Sequence, residues 1–93
     1  MKVSIITATY NSEKSIRRNL ESVKNQTHAD IEHIIIDGVS KDKTLSIVNE
    51  FPHVSKIISE KDKGIYDALN KGLDQVTGDV IGLLHSDDVF HDR

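Results

Sequence analysis

Ile34-Ile35-Ile36-Asp37-Gly38-Val39-Ser40-Lys41-Asp42-Lys43-Thr44 is the segment from which the architecture follows. Three consecutive β-branched residues read as a strand. The run is continuous rather than alternating, so both of its faces must be covered, as in the parallel sheets of α/β proteins. The carboxylate and the polar residues after it read as the loop leaving that strand. Three further apolar runs surround it: Val3 to Ile6, Val54 to Ile58 and Val80 to Leu84. Val80-Ile81-Gly82-Leu83-Leu84 is again nearly continuous, which predicts a covered strand. Val54-Ser55-Lys56-Ile57-Ile58 is more polar and suits a sheet edge.

Helical patterns separate the runs. Ile16, Leu20 and Val23 fall at i, i+4 and i+7, with Asn11 or Ser12 as the cap and the helix ending near Asn25-Gln26. Leu45, Val48 and Phe51 give a second stripe, with Ser40 and Asp42 as cap residues and Pro52 as its stop. Ile65, Leu69 and Val76 give a third, and Gly78 stands where a left-handed C-terminal cap belongs. Gly72 inside that helix marks either a tight approach to the sheet or an early break. The order β-α-β-α-β-α-β predicts a parallel sheet with right-handed crossovers. Ligands of such sheets bind outside the carboxyl ends of the strands. The segments to inspect are therefore Thr7 to Asn11, Asp37 to Asp42, Ser59 to Gly64 and His85 to Asp88.

Composition narrows the classes. The 93 residues suffice for one small domain, with 37% hydrophobic and 29% charged residues. Twelve Lys and Arg against fifteen Asp and Glu leave a net charge of −3, which excludes the dense cationic face of a nonspecific nucleic-acid binder. The lack of Cys excludes disulfides, thiolate zinc sites and a Cys nucleophile. No apolar run approaches the ~18 residues that span a bilayer. The N-terminus turns polar by Thr7, too early for a signal peptide. The expected address is cytoplasmic, with peripheral attachment to the inner face of the membrane as its variant.

The strand-end residues carry the chemistry. His85-Ser86-Asp87-Asp88 follows the last strand. Adjacent carboxylates at a strand mouth need neutralising, and a hard cation such as Mg²⁺ or Mn²⁺ would do so. The same pair also reads as a surface turn capping a helix. Asp37 could accept from the imide N–H of a base or from ribose hydroxyls, or simply shape its turn. Thr7, Ala8, Thr9 and Tyr10 offer small side chains beside one ring, although these are ordinary loop residues too. Lys61 or Lys63 could face phosphate oxygens, and otherwise this loop is solvated charge. Asp67 and Asn70 share one helix face. The histidines have no HxxxH or HxH spacing; His28, His33, His53 and His91 read as surface or packing residues, and only His85 stands beside the acidic pair. There is no P-loop, GxGxxG or GxSxG sequence.

Taken together, VSIITATYN, IIIDGVSKDKT, SEKDKGIYDALNKGL and TGDVIGLLHSDD resemble, in order and spacing, the N-terminal half of a family 2 glycosyltransferase of the kind that builds bacterial surface polysaccharides. The resemblance covers essentially the whole chain. It implies the Rossmann-like GT-A fold and one unit, residues 1–93, that binds a nucleotide-diphosphate sugar. UDP is the commonest donor nucleotide of the family, with GDP and dTDP also used. It implies metal-dependent, inverting transfer to a saccharide or lipid-linked acceptor. Thr7, Ala8, Thr9 and Tyr10 would line the nucleoside pocket and Asp37 would contact the base. Lys63, Gly64, Asp67 and Asn70 would flank the nucleotide, with Ser86 and Asp87 at the ribose. Asp88, with Asp87 as second ligand, would hold Mg²⁺ or Mn²⁺.

The chain departs from the family at His85, where many members carry Asp, and at Ala68-Leu69-Asn70, where Ala-Arg-Asn is common. It reaches only Arg93, and the family's acceptor half and catalytic base are expected beyond that residue. The fragment alone is therefore expected to bind donor weakly and transfer poorly. The alternatives are a non-catalytic nucleotide- or metal-binding α/β module and a partner-binding fragment that self-associates through an uncovered sheet edge. A phosphoacceptor receiver domain would need acids after the first strand, where Ala8-Thr9-Tyr10 stand.

Overall fold

The computed structural model describes residues 2–25, 30–61 and 65–86. Strands β1 (Lys2–Thr9), β2 (Asp30–Asp37), β3 (Val54–Ser59) and β4 (Val80–Leu83) alternate with helices α1 (Ile16–Lys24), α2 (Thr44–Val48) and α3 (Ile65–Leu73). The strands form one sheet in the order β3-β2-β1-β4, all parallel. The Rossmann-like α/β expectation holds, and β3 lies at an edge as its polarity predicts. Among the described residues no helix is long and apolar enough to cross a membrane.

Parallel register puts partnered residues on the same face of the sheet. Thr7 pairs with Ile35 and Ile6 with Ile34. One face of the sheet, through Ile35, packs against Ile16 and Leu20 of α1, Val48 of α2 and Phe51. The opposite face, through Ile6, Ile34 and Ile36, packs against Ala68 and Leu69 of α3. Ile5, Ile6, Ile34, Ile35 and Ile36 are all 0–2% exposed. Each contributes about 1.5–3 kcal/mol by leaving water. This explains why β2 needed a continuous apolar run.

Three expectations are corrected. β4 is an edge strand, and Val80, Ile81 and Leu83 are exposed rather than covered. Its apolar run signals a strand but not which neighbours cover it. α3 ends at Leu73, before Val76, and Gly78 has no left-handed φ. Gly78 is needed for space: a Cβ there would lie 2.6 Å from Ser4 Oγ and 2.9 Å from the Lys2 carbonyl. Gly72 does mark a tight approach, since its Cβ would lie 2.6 Å from Ile6 Cγ2. The cap residues also differ. α1 starts after Ser15, and α2 starts after Lys43. The side chains of Asn11, Ser12 and Ser40 are used elsewhere.

At the N-terminal end of the strands, Glu32 ties the α3–β4 connection to the sheet. It accepts from Ser4 Oγ at 2.8 Å, from the Thr77 N–H at 2.9 Å and from the Thr77 hydroxyl at 3.0 Å. Burial alone would raise its pKa, but these bonds and Lys2 outweigh it and hold the carboxyl below its usual value. This buried acid lies at the opposite end of the sheet from the strand carboxyl termini and is structural.

Candidate functional site at the strand carboxyl ends

The strand order reverses at β1, with β2 and β3 on one side and β4 on the other. The crevice of such a sheet lies at that reversal, outside the carboxyl ends. Thr9, Asp37 and Ser59 are register partners across β1, β2 and β3. They form a polar row there. Asp37 is fully buried, and both of its oxygens are occupied. Oδ1 accepts from Thr9 Oγ1 and Ser40 Oγ, each at 2.6 Å; Oδ2 accepts from the Ser40 N–H at 2.8 Å and Ser59 Oγ at 3.1 Å. The resemblance implies that Asp37 touches a base. The structure places it in an interior position from which it clamps the β2 exit, with four donors converging on a buried carboxylate.

From this clamp a hydrogen-bonded path crosses the rim. Ser40 Oγ accepts from the Asn11 N–H at 2.8 Å, and Asn11 Oδ1 accepts from the Lys41 N–H at 2.8 Å. Asn11 holds a left-handed φ of 48°, a conformation Asn tolerates. The Ser12 N–H donates to Thr44 Oγ1 at 2.7 Å, and the Ser12 hydroxyl meets that of Ser86 at 3.0 Å. Asp42 accepts from the N–H and hydroxyl of Thr44 and the N–H of Glu13. Burial pushes its pKa up, and these donors outweigh that and lower it. The ends of β1, β2 and β4 are thus joined by backbone and side-chain hydrogen bonds.

Tyr10, 60% exposed, and Val39, 45% exposed, are chain neighbours of Asn11 and Ser40 on this path. Val39 has a φ of 63°, which is costly for a β-branched residue. Thr7, by contrast, is fully buried with its hydroxyl 2.9 Å from His33 Nε2, so its side chain lines no open surface. Thr9 is likewise buried against Asp37. Ala8 lines an apolar groove with Ile6, Leu69, Leu83, Leu84 and His85, about 260 Å³ with its open mouth included. Asp67 lies in the first turn of α3, close to the rim in chain terms. Lys71 pairs with Asp67 at 3.5 Å and Glu60 at 3.3 Å and donates to the Lys61 carbonyl at 2.9 Å. Its burial lowers its pKa, and the two carboxylates more than reverse this. Asn70 is exposed. Lys63, Gly64, Asp87 and Asp88 lie outside the described residues. Among the described residues no cluster of His, Asp and Glu could hold a metal ion.

Sequence reasoning gave Ser59 no role of its own within the Ser59 to Gly64 segment, missed Asn19, and misread Ser12 and Ser40 as caps. Ser59 was legible in principle as the polar end of a strand parallel to Asp37. Asn19 was legible as a polar residue at an apolar stripe position, between Ile16 and Leu20.

A parallel α/β sheet with this polar rim at its strand reversal defines a Rossmann-like unit. The chain belongs to glycosyl transferase family 2, whose sequence profile it matches over residues 4–93. It is 38% identical over 93 residues to a PGL/p-HBAD biosynthesis glycosyltransferase of Mycobacterium bovis, covering 96% of this chain and 36% of that protein. Its fold matches that of S. aureus TarS residues 1–349 in complex with UDP-GlcNAc, with a TM-score of 0.86, 31% identity, and coverage of 94% of this chain and 27% of that one. It also matches a mannosyltransferase from Pyrobaculum calidifontis in complex with GDP-Man and Mn²⁺, with a TM-score of 0.87, 26% identity, and coverage of 98% and 29%. The chain spans about a third of the length of the curated relatives it matches.

Proposed function

We propose that this chain is the donor-binding part of a glycosyltransferase that moves a sugar from a nucleoside diphosphate to a hydroxyl of a saccharide or lipid-linked acceptor, with inversion at the anomeric carbon. The observation that carries the reading is the path Asp37–Ser40–Asn11–Ser12–Ser86, which gathers the ends of β2, β1 and β4 into one rim. TarS bound to UDP-GlcNAc and the mannosyltransferase bound to GDP-Man and Mn²⁺ share the fold and support it.

In this reading the nucleoside lies over Thr9, Tyr10 and Asn11, with the Tyr10 ring beside the base. Asp37 serves by fixing Thr9 and Ser40 in place. Ala8 keeps the neighbouring groove open, and Asp67, Asn70, Lys63 and Gly64 flank the nucleotide. Asp87 sits at the ribose or as a second metal ligand, and Asp88 is the principal ligand. Two adjacent carboxylates in a chain without Cys are hard oxygen donors that suit Mg²⁺ or Mn²⁺, leaving other positions to water and phosphate oxygens. When bound, the cation neutralises charge developing on the leaving diphosphate. The base that takes the acceptor proton is not assigned to any residue named above.

Calorimetric titration with UDP, GDP and dTDP, with and without Mn²⁺, tests this. The expected result is Mn²⁺-dependent binding, strongest for UDP, that weakens at least about tenfold in Asp88→Ala. Absence of binding to all three, or metal-dependent binding unchanged in Asp88→Ala, overturns the reading.

A further inference from the structure

The α1 face of the sheet contains a polar line that the rim does not use. His33, Thr7 and Asn19 are each 0% exposed and lie among isoleucines and leucines. His53 Nε2 is 3.2 Å from His33 Nδ1, with the two rings stacked. His33 Nε2 is 2.9 Å from Thr7 Oγ1. Thr7 Oγ1 is 3.5 Å from Asn19 Oδ1, the long end of hydrogen-bond range. Asn19 Nδ2 donates to the His85 carbonyl at 2.9 Å. The line runs from His53, just before β3, across β2 and β1, through α1 to His85, two residues past the end of β4.

Its direction follows from donor bookkeeping. A carbonyl only accepts, so Asn19 turns its amide nitrogen to His85 and its oxygen to Thr7. Thr7 then gives its one proton to Asn19 and accepts from His33 Nε2–H. His33 accepts at Nδ1 from His53 Nε2–H. This assignment leaves only a lone pair, His53 Nδ1, without a partner, and that atom is the one buried side-chain polar atom lacking a hydrogen bond among the described residues. The reverse direction would leave a buried N–H there, a rarer and costlier defect. Burial, and then the charge of His53, lower His33 to about 3, so it stays neutral and able to accept.

We propose that Asn19, oriented by this buried line, is a positioning residue for the turn after β4: it fixes the His85 carbonyl so that the Ser86 hydroxyl meets that of Ser12. The inference rests on the reading that this turn is the donor end of the protein. Asn19 touches no donor. It acts through His85.

The test compares Asn19→Asp with Val23→Ala, a control one turn along α1 that loses packing without touching the turn. Asn19→Asp keeps the volume and the acceptor for Thr7 but faces the His85 carbonyl with a second acceptor. In donor-free protein, the carbonyl carbon of His85 and the amide of Ser86 should shift in Asn19→Asp and stay put in Val23→Ala. Both His33 and His53 should show the Nε2–H tautomer in wild type. Affinity for UDP with Mn²⁺ should fall about tenfold in Asn19→Asp and be unchanged in folded Val23→Ala. Unmoved resonances, Nδ1–H tautomers, or undiminished affinity in Asn19→Asp overturn the inference while wild-type binding keeps the functional reading intact. Shifted resonances in a protein whose wild type binds no nucleotide uphold the positioning of the turn and overturn its link to donor binding.

Discussion

The hydroxyls of Ser12 and Ser86 meet at 3.0 Å across a sequence separation of 74 residues. Ser12 leaves β1 and Ser86 leaves β4, the two strands on either side of the chain's topological reversal. Their contact closes the rim that begins at Asp37.

Asp37→Asn should destabilise the fold by about 2 kcal/mol. The amide offers one acceptor oxygen where the carboxylate offers two, and its NH₂ would face either the Thr9 and Ser40 hydroxyls or the Ser40 N–H and the Ser59 hydroxyl. Bonds to a charged acceptor contribute about 1.5–3 kcal/mol each, and part is regained by relaxation. Urea denaturation measures this, and a variant as stable as wild type would show that the clamp contributes little.

Val39→Gly should stabilise the chain by about 1 kcal/mol. A left-handed φ costs an L-residue ~1–2 kcal/mol, while glycine's extra freedom in the unfolded chain returns ~0.5–1. The melting temperature should rise by about 4–8 °C per kcal/mol in a domain of this size. A fall in melting temperature would mean that the Val39 side chain makes a contact worth more than the strain.

Gly72→Ala should be destabilising although alanine is the better helix former. Helix propensity gains ~1 kcal/mol, but a Cβ 2.6 Å from Ile6 Cγ2 meets a fully buried side chain with no room to withdraw. Overpacking costs about 1–3 kcal/mol. Thermal unfolding decides the sign.

Stability should fall in acid well before carboxylates titrate. His33 has a folded pKa of about 3, below the ordinary 6.5, so between those values the unfolded state binds more protons than the folded one. The contribution is fully present above pH 6.5 and is lost as pH falls toward 3, at a slope approaching 1.4 kcal/mol per pH unit. His53, also lowered by burial and by Lys24, adds in the same direction. Glu32 has a lowered folded pKa, so its share is present above its ordinary 4.5 and disappears only below it. In His33→Gln the loss between pH 6.5 and 4.5 should flatten and the loss below 4.5 should remain. An unchanged curve would place the acid sensitivity elsewhere.

Element types and order were legible because each strand is a run of β-branched residues and each helix carries a stripe. Burial of β4 was not, since an apolar run such as Val80 to Leu84 reports that a strand forms and not what lies against it. Gly78 was read as a cap because its position after a stripe is all that sequence shows, whereas its role comes from the Ser4 and Lys2 atoms it meets across the sheet. The place of the polar rim was legible, because the strand-end segments Thr7 to Asn11, Asp37 to Asp42 and His85 to Asp88 contain most of its residues. The division of labour within it was not. Asp37 faces inward because its register partners Thr9 and Ser59 supply hydroxyls, a pairing that appears only once β1, β2 and β3 lie side by side. Asn19 was hidden for the same reason, since it bonds to Thr7 of β1 and to His85 beyond β4, residues far from it in the chain.

The most direct test of the rim as the donor site is paramagnetic broadening by Mn²⁺ in the presence of UDP, read on backbone amides. The account predicts selective loss of signal around residues 10–12, 38–41 and 84–86, with Lys2, Glu32 and Thr77 at the far end of the sheet untouched. Broadening centred on Lys2, Glu32 and Thr77, or none that depends on UDP, would contradict it.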